Sequence, residues 1–354
     1  MRIAITGHSL VHPRQYKLAD ALGKITDIIN ICPSQWGNEF APKNAIGIPP
    51  QFLDPQHPNM MQYFLGQNMF MEAFNFTMPE LIYCQDETFS LYAKQCALAA
   101  EALNCKLVYF NWENKVADLP VQMQEIEKEN LEAADLVICG NPEAEVRVHK
   151  LNSDVKTKII PQTGIDMDLF KPMPEIEKAY HVGYIGRFVP EKTDIFHKFL
   201  ETHMYLRAMS VGGRGAHNMP CYSNYSVIPW IEYENLPRFY NMMQVFMHLP
   251  YSQVNGFQEQ FVYTIGEALA CGLPVICSNN GSMPSVYGTA PNVFFVEEGE
   301  KGLETADYYV NNLIDHTYGN LTNRSAEGRQ WVKHNLSLSS IATTLNDTFE
   351  EILK

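Results

Sequence analysis

The sequence predicts an α/β protein built as two Rossmann-like halves. Short apolar runs alternate with amphipathic stretches of helical period, without internal repeats. That alternation implies parallel sheets covered by helices. The pattern restarts near Val182 after a linker, and 354 residues exceed what one hydrophobic core normally serves.

Element by element, Arg2 to Thr6 reads as a strand, Gly7 to Arg14 as a loop, Gln15 to Leu22 as a helix and Ile25 to Cys32 as a second strand. Pro49, Pro50, Pro55 and Pro58 then interrupt the pattern as loops. Met60 to Met78 is rich in Met and Phe, a composition suited to core or interface packing more than to acceptor or lipid contact. Leu81 to Cys84, Phe89 to Leu103 and Lys106 to Phe110 resume the alternation, and Ala134 to Cys139 and Lys158 to Pro161 add strands. In the second half, strands are expected at Val182 to Ile185, Tyr205 to Val211, Val245 to His248, Val275 to Cys277 and Val293 to Val296, with an amphipathic run from Asp194 to Leu200. Ile341, Leu345, Phe349 and Ile352 form the apolar stripe of a last helix, Ser339 to Leu353.

Composition excludes several classes. Residues 1–172 hold 14 basic and 21 acidic side chains and residues 173–354 hold 12 and 19, so each half carries −7 of the net −14. No run of clustered Lys or Arg offsets this, so nucleic acid and anionic membrane are not expected partners. The eight cysteines are scattered through apolar contexts with no Cys-x2-Cys pair, reading as reduced core residues rather than zinc ligands. No apolar run approaches a membrane span, and the N-terminus reads as a strand rather than a signal peptide. A reducing cytoplasm is the expectation, and the sequon at Asn75 is read as accidental.

Two motifs carry chemistry. Glu259 and Glu267 stand eight residues apart. Small and apolar residues continue at helical spacing from Val262 to Cys271, Gly272 is placed as the stop, and Leu273 to Cys277 reads as a buried strand, so Glu259 precedes the helix and Glu267 lies inside it. A helix N-terminus favours an anionic diphosphate, while carboxylates suit a ribose diol or hydroxyls of a sugar. A solvated face with one helix-entry charge is the plain alternative. Upstream, His181-Val-Gly-Tyr-Ile-Gly186-Arg187-Phe-Val-Pro-Glu-Lys192 is a strand, a Gly turn and two cations five residues apart. Glycine lets backbone approach a ligand closely, and the cations can neutralise two adjacent phosphates. A surface turn with solvated charges is the alternative here.

Together with Gly164-Ile-Asp166-Met-Asp168-Leu-Phe170-Lys-Pro172, these segments resemble the retaining glycosyltransferases of GT-B fold, family 4, in order and spacing over nearly the whole chain. The resemblance implies a GT-B fold, with two Rossmann-like domains whose parallel sheets face an interdomain cleft. It implies an acceptor domain, residues 1–172, joined in space by helix 338–354, and a donor domain, residues 173–337. By the same carry-over Arg187 and Lys192 look like the diphosphate clamp, Glu267 the ribose ligand and Glu259 the carboxylate beside the transferred sugar. Gly186 belongs to the donor turn. Gln260, Phe261 and Val262 stand where the family has a Gly-Phe-Gly-like turn, which leaves backbone donors but less space. The base is expected near Trp230 and Ile231, with Trp230 equally readable as a packing residue. Gly7 and His8 follow the first strand near the phosphates. Where the family often has an N-domain His, this chain has Trp112, Glu113 and Asn114, which read as acceptor or sugar contacts or as a capped loop around a buried Trp.

Asp166-Met-Asp168 spells the Asp-x-Asp string that other glycosyltransferases use for a divalent metal, but its place in the linker marks it as a decoy. Arg187 and Lys192 already supply the positive charge a Mg2+ would bring, so metal-independent turnover and no cofactor are expected. The implied reaction moves a sugar from a nucleotide diphosphate sugar, UDP- or GDP-linked, to a saccharide, lipid-linked or small-molecule hydroxyl with retained anomeric configuration. The leaving phosphate takes the acceptor proton. Alternatives are a GT-B epimerase or phosphorylase, or a nucleotide-sugar-binding protein without turnover. A dinucleotide-dependent oxidoreductase is weaker. No Gly-x-Gly-x-x-Gly follows the first strand, and Gly212-Gly-Arg-Gly215 lies mid-chain.

Overall fold

The computed structural model describes residues 1–56, 60–115, 119–213, 220–253, 255–315 and 321–354. Pro58, Arg214 and Gly215 lie outside the described residues. The chain divides into two compact units, Met1–Gly164 with Leu338–Lys354, and Ile165–Ser337.

The first unit runs β1 (Arg2–Thr6), α1 (Pro13–Leu22), β2 (Asp27–Pro33), β3 (Gln35–Trp36), β4 (Glu39–Phe40), β5 (Ala45–Ile48), β6 (Pro50–Phe52), β7 (Tyr63–Leu65), α2 (Gln67–Thr77), β8 (Leu81–Cys84), α3 (Leu91–Leu103), β9 (Lys106–Asn111), α4 (Val121–Ala133), β10 (Leu136–Cys139), α5 (Pro142–Leu151) and β11 (Thr157–Ile159). Seven strands form one parallel sheet in the order β11-β10-β9-β8-β1-β2-β5. Every residue of β8 and β10 is buried, as a sheet covered on both faces requires. Local chemistry sets the helix starts. Ser90 accepts a hydrogen bond from the Ala93 N–H at 3.0 Å, Asn141 accepts one from Ala144 at 2.7 Å, and Pro13 and Pro142 occupy first-turn positions that need no donor.

Two segments differ from expectation. The loop over Gly7 to Arg14 is a 3-10 turn, His8–Val11, followed directly by α1, because Pro13 presets a helical φ. β5, an edge strand on β2, ends just before the Pro-rich stretch, which itself contains β6, paired antiparallel to β7 with Pro50 at its first residue. Within Met60 to Met78, α2 buries Phe70 and Phe74 and leaves Phe76 87% exposed.

The second unit runs β12 (Tyr180–Ile185), α6 (Pro190–Thr202), β13 (Ala208–Val211), β14 (Tyr225–Ile228), α7 (Leu236–Asn241), β15 (Met243–His248), α8 (Tyr263–Ala270), β16 (Val275–Ser278), α9 (Met283–Tyr287), β17 (Val293–Val296), α10 (Leu303–Ile314) and α11 (Leu321–Asn335). Its six strands are all parallel, ordered β14-β13-β12-β15-β16-β17.

Residues 165–172 belong to this second unit, so the boundary falls at Gly164 rather than Pro172. The Ile165 N–H donates to the Leu336 carbonyl at 2.6 Å, Phe170 is fully buried against Tyr233 and Tyr240, and Arg329 donates to the carbonyls of Met167 and Phe170 at 3.0 and 2.7 Å. The Asp166 carboxylate accepts the N–H groups of Asp168 and Leu169 at 3.1 and 3.0 Å, closing a turn.

The last helix, α12 (Leu338–Leu353), returns to the first unit, where Ile341, Leu345 and Phe349 join Leu18 and Leu22 of α1 in one core cluster. All eight cysteines are free thiols; Cys221 is exposed, Cys105 half-buried and the rest buried. Among the described residues no helix is long and apolar enough to cross a membrane. Phe349 is fully buried with its ring 5.3 Å from that of Tyr83. We expect Phe349→Ala to destabilise the first unit by about 3–5 kcal/mol. An unmoved urea midpoint would show that α12 is dispensable to that core.

Candidate functional site

In open parallel sheets, ligands bind outside the carboxyl ends of the strands, where the strand order reverses. In the second unit the chain moves from β12 outward to β13 and β14, then returns to β15 on the other side, so the reversal lies between β12 and β15. Gly186 and Arg187 follow β12, Gly212 follows β13, and His248 ends β15.

The turn after β12 has no room for a side chain at Gly186, nor has the facing loop at Gly212. A Cβ on Gly212, whose φ is +143°, would fall 2.0 Å from the Gly186 carbonyl oxygen, and one on Gly186 would fall 2.5 Å from the Tyr184 hydroxyl. Two loops therefore cross backbone to backbone. The Tyr184 hydroxyl donates to the Arg187 carbonyl at 2.9 Å, fixing the turn. The Arg187 side chain is exposed and makes no hydrogen bond or ion pair with another described residue.

Lys192, in the first turn of α6, is paired instead. Its Nζ lies 2.8 Å from Oε1 and 3.1 Å from Oε2 of Glu259, and 5.1 Å from the centre of the Phe257 ring. A cation there opposes the helix dipole, and Glu259 offsets that cost. His248 Nε2–H donates to Glu259 Oε1 at 2.9 Å, and its ring stacks on Tyr184 at 5.8 Å. Glu259 is 4% exposed. Burial alone would raise its pKa, but the His248 hydrogen bond and the Lys192 charge outweigh burial and lower it to about 2. Burial lowers the His248 pKa below 6.5, keeping the ring neutral.

The backbone around Glu259 is clamped by the loop after β16. Its N–H donates to Asn280 Oδ1 at 2.8 Å, its carbonyl accepts the Ser282 N–H at 2.9 Å, and a Cβ on Gly281 would fall 2.2 Å from that carbonyl oxygen. Asn280 also donates to Glu298 Oε1 at 3.1 Å. His248, Asn280 and Ser282 escaped the sequence reading. The Asn279-Asn-Gly-Ser282 turn signal directly after a buried strand was the available clue.

Glu267 is placed differently. It is fully buried inside α8, with Oε2 accepting the Tyr240 hydroxyl at 2.8 Å. Phe261 and Val262 are 8% and 6% exposed. The Phe261 ring packs 4.6 Å from Tyr263, and the Val262 carbonyl accepts the Tyr287 hydroxyl at 2.7 Å. Trp230, beyond edge strand β14, is 67% exposed, so it is no core residue, and Ile231 is half-buried. The structure thus joins Lys192 to Glu259, and leaves Arg187 open and Glu267 enclosed.

The first unit has its own reversal, between β1 and β8. A Cβ on Gly7, at φ +152°, would stand 3.3 Å from Asp86 Oδ2. His8 Nδ1 bonds Asp86 Oδ1, the His8 N–H reaches Oδ2 at 3.2 Å, and the Tyr63 hydroxyl also donates to Oδ2. Trp112, Glu113 and Asn114, after β9, are half-buried, with the Trp112 ring 5.8 Å from Phe110 and the Glu113 N–H donating to Asn111 Oδ1 at 3.0 Å. Among the described residues the buried Oε2 of Glu87 has no hydrogen-bond partner, and burial, reinforced by Glu113, pushes that carboxyl well above the usual range.

Residues 216–311 match the family described as glycosyl transferases group 1. No curated protein matches the chain in sequence. Among solved structures it is similar to sucrose-phosphate synthase (tll1590) from Thermosynechococcus elongatus, with TM-score 0.69 and 16% identity over 99% of both chains. It is also similar to Anabaena Alr3699/HepE in complex with UDP, with TM-score 0.74 and 15% identity over 99% of this chain and 100% of that one. Alr3699/HepE has also been solved with UDP-glucose. A glycosyltransferase from Rickettsia africae ESF-5 aligns with TM-score 0.73 and 15% identity over 100% and 98%. The fold is α/β of GT-B type.

The buried cluster predicts a pH signature. Folded Glu259 stays ionised down to about pH 2, whereas an unfolded Glu titrates near pH 4.3, so its stabilisation, roughly 3 kcal/mol, is present above pH ~4.3 and lost on acidification. Buried neutral His248 adds loss in the same direction below about pH 6.5, because the unfolded ring takes up the proton first. The unfolding free energy of Glu259→Gln should fall less steeply than that of the wild type between about pH 5 and pH 2. Equal slopes in acid titrations of the two proteins would contradict the pairing.

Proposed function

We propose that this chain is a metal-independent, retaining glycosyltransferase of family 4, transferring a sugar from a nucleoside diphosphate donor to a hydroxyl acceptor in the cytoplasm. One observation carries the reading. At the second unit's strand-order reversal, exposed Arg187 without a partner among the described residues follows a glycine crossing, beside a sheet edge that also bears the buried Lys192–Glu259 pair.

That arrangement suits an anionic leaving group. Arg187 is held by its backbone and has free donors for a phosphate, and Gly186 lets a ligand approach the chain. Lys192 adds charge on the same edge while keeping Glu259 ionised, and a carboxylate fixed before a helix suits the hydroxyls of a donor sugar or positive charge developing on its ring. Glu267, enclosed in α8 and accepting the Tyr240 hydroxyl, is the proposed ribose ligand by the resemblance alone. Trp230 and Ile231, at the carboxyl end of β14, are the proposed base contacts, and Phe261 and Val262 contribute backbone rather than side chains. The likeness to Alr3699/HepE supports a uridine diphosphate sugar as the first donor to test, with GDP-linked sugars next. Saccharide, lipid-linked and small-molecule hydroxyls are the acceptor classes.

Arg187→Ala should cost about 1.5–3 kcal/mol of transition-state stabilisation, a drop of roughly 10-fold to 150-fold in kcat/KM, while the fold stays intact by circular dichroism. UDP-glucose turnover that is indifferent to this change would remove the assignment. Retention is read from the anomeric proton coupling of the product, and an inverted product would overturn it. EDTA should leave the rate unchanged; loss of activity restored by Mg2+ would overturn metal independence.

A further inference from the structure

We infer that two hairpins of the first unit, β3–β4 and β6–β7, build a saccharide site in which a pyranose ring lies against Trp36 and Phe52 and its hydroxyls bond Glu39, Trp36 Nε1 and His8 Nε2. The inference rests on the glycosyltransferase reading for the saccharide's role, and deepens it by choosing one acceptor class. Every residue of the site belongs to the first unit.

The connection that carries β3–β4 is unusual for its place. β2 and β5 are parallel neighbours, and such strands are usually joined by a helix. Here residues 34–44 hold a two-stranded hairpin instead, turned by Gly37 at a left-handed φ of +60°. The β6–β7 hairpin follows β5. In each hairpin one directly opposed pair shares a face, Trp36 with Glu39 and Phe52 with Tyr63. The ring centres of Phe52 and Tyr63 lie 5.9 and 4.7 Å from that of Trp36, so the two faces meet, and the His8 ring stands 4.9 Å from Trp36.

The floor of this cluster is fixed and its edge is open. Tyr63 is fully buried, and its hydroxyl and His8 Nδ1 both bond Asp86, which is 2% exposed. Trp36, Glu39 and Phe52 are only half-buried. The Glu39 carboxylate, the Trp36 Nε1–H and His8 Nε2 have no hydrogen-bond partner among the described residues.

Those open groups select the ligand. They comprise a carboxylate that only accepts, an indole that only donates, and a ring nitrogen that meets a hydroxyl in either protonation state. An anion is opposed by Glu39. A cation finds the carboxylate but leaves the Trp36 donor unused, and a bare alkyl chain leaves all three unused. A sugar ring carries hydroxyls that both give and accept at its rim and C–H bonds on its faces, which matches polar groups set around an aromatic floor. Rings already held by hairpins and by Asp86 also lose little freedom when a ligand arrives.

The test uses the full chain without donor. Methyl hexopyranosides, disaccharides and octyl glucoside are titrated by calorimetry and by tryptophan fluorescence, with choline chloride and inorganic phosphate as charged probes. At least one saccharide should bind saturably and change the fluorescence. Trp36→Ala and Glu39→Gln should each weaken it by about 10-fold, while the thermal shift given by UDP stays as in the wild type. Trp36→Phe should keep binding and lose the fluorescence change, which separates contact with the ring from collapse of the hairpin. Melting temperatures show which variants fold, and Glu39→Gln with Trp36→Phe decides the matter where Trp36→Ala does not. Glu39→Gln affinity within about twofold of wild type, with the fluorescence change kept in Trp36→Phe, overturns the inference. Binding of octyl glucoside alone, binding of choline or phosphate in place of saccharides, and no binding at all overturn it equally, and continued turnover of UDP-glucose then leaves the transferase reading standing. A chain that binds saccharide through Trp36 and Glu39 but transfers no sugar to it from any nucleotide sugar removes the transferase reading and leaves a binding site alone.

Discussion

The second unit is organised around a carboxylate that water scarcely reaches. An ionised Glu in that position is tolerable only when charge and hydrogen bonds replace its hydration. Glu259 receives Lys192 from the first turn of α6 and His248 from the end of β15, and the loop after β16 clamps its backbone. Its side chain thereby ties one strand end to the start of a helix, and its backbone joins both to the loop after a second strand. The glycines at 186, 212 and 281 are needed because these loops must run almost in contact. Removing Lys192 alone would strand the charge, a larger penalty than losing a surface pair.

The first unit repeats the scheme with weaker parts. A glycine follows the first strand, a titratable ring follows the glycine, and a buried acid arrives from beyond the strand on the other side of the reversal. Arg187 and His8 hold corresponding positions, each the second residue after its unit's first strand. One is a permanent cation, suited to an anion. The other has an open ring nitrogen, suited to a hydroxyl.

Much of this was legible because strong local signals coincided with real elements. β1, β8 and β17 fall where the apolar runs put them, and α12 follows its stripe. Glu259 does precede a helix and Glu267 does lie inside it. What failed was non-local or weakly patterned. β14, reading Tyr-Ser-Val-Ile at a sheet edge with only Tyr225 buried, carries too little apolar character to stand out. Asp86 and Tyr63 lie 78 and 55 residues from His8, and no periodicity links them. The boundary shifted to Gly164 because Arg329, far along the chain, gathers the carbonyls that follow it. Lys192 looked like an open clamp because a sequence names charges without their partners.

The distribution of thiols has a practical consequence. Burial pushes Cys32, Cys139 and Cys271 up to about 12 and Cys105 to about 11, so their reactive thiolate forms are scarce at neutral pH. Cys221 alone is exposed, four residues before β14 begins. A maleimide dye would therefore attach at a single native position near Trp230 in sequence, giving a fluorescent reporter of occupancy in the second unit without any engineered cysteine.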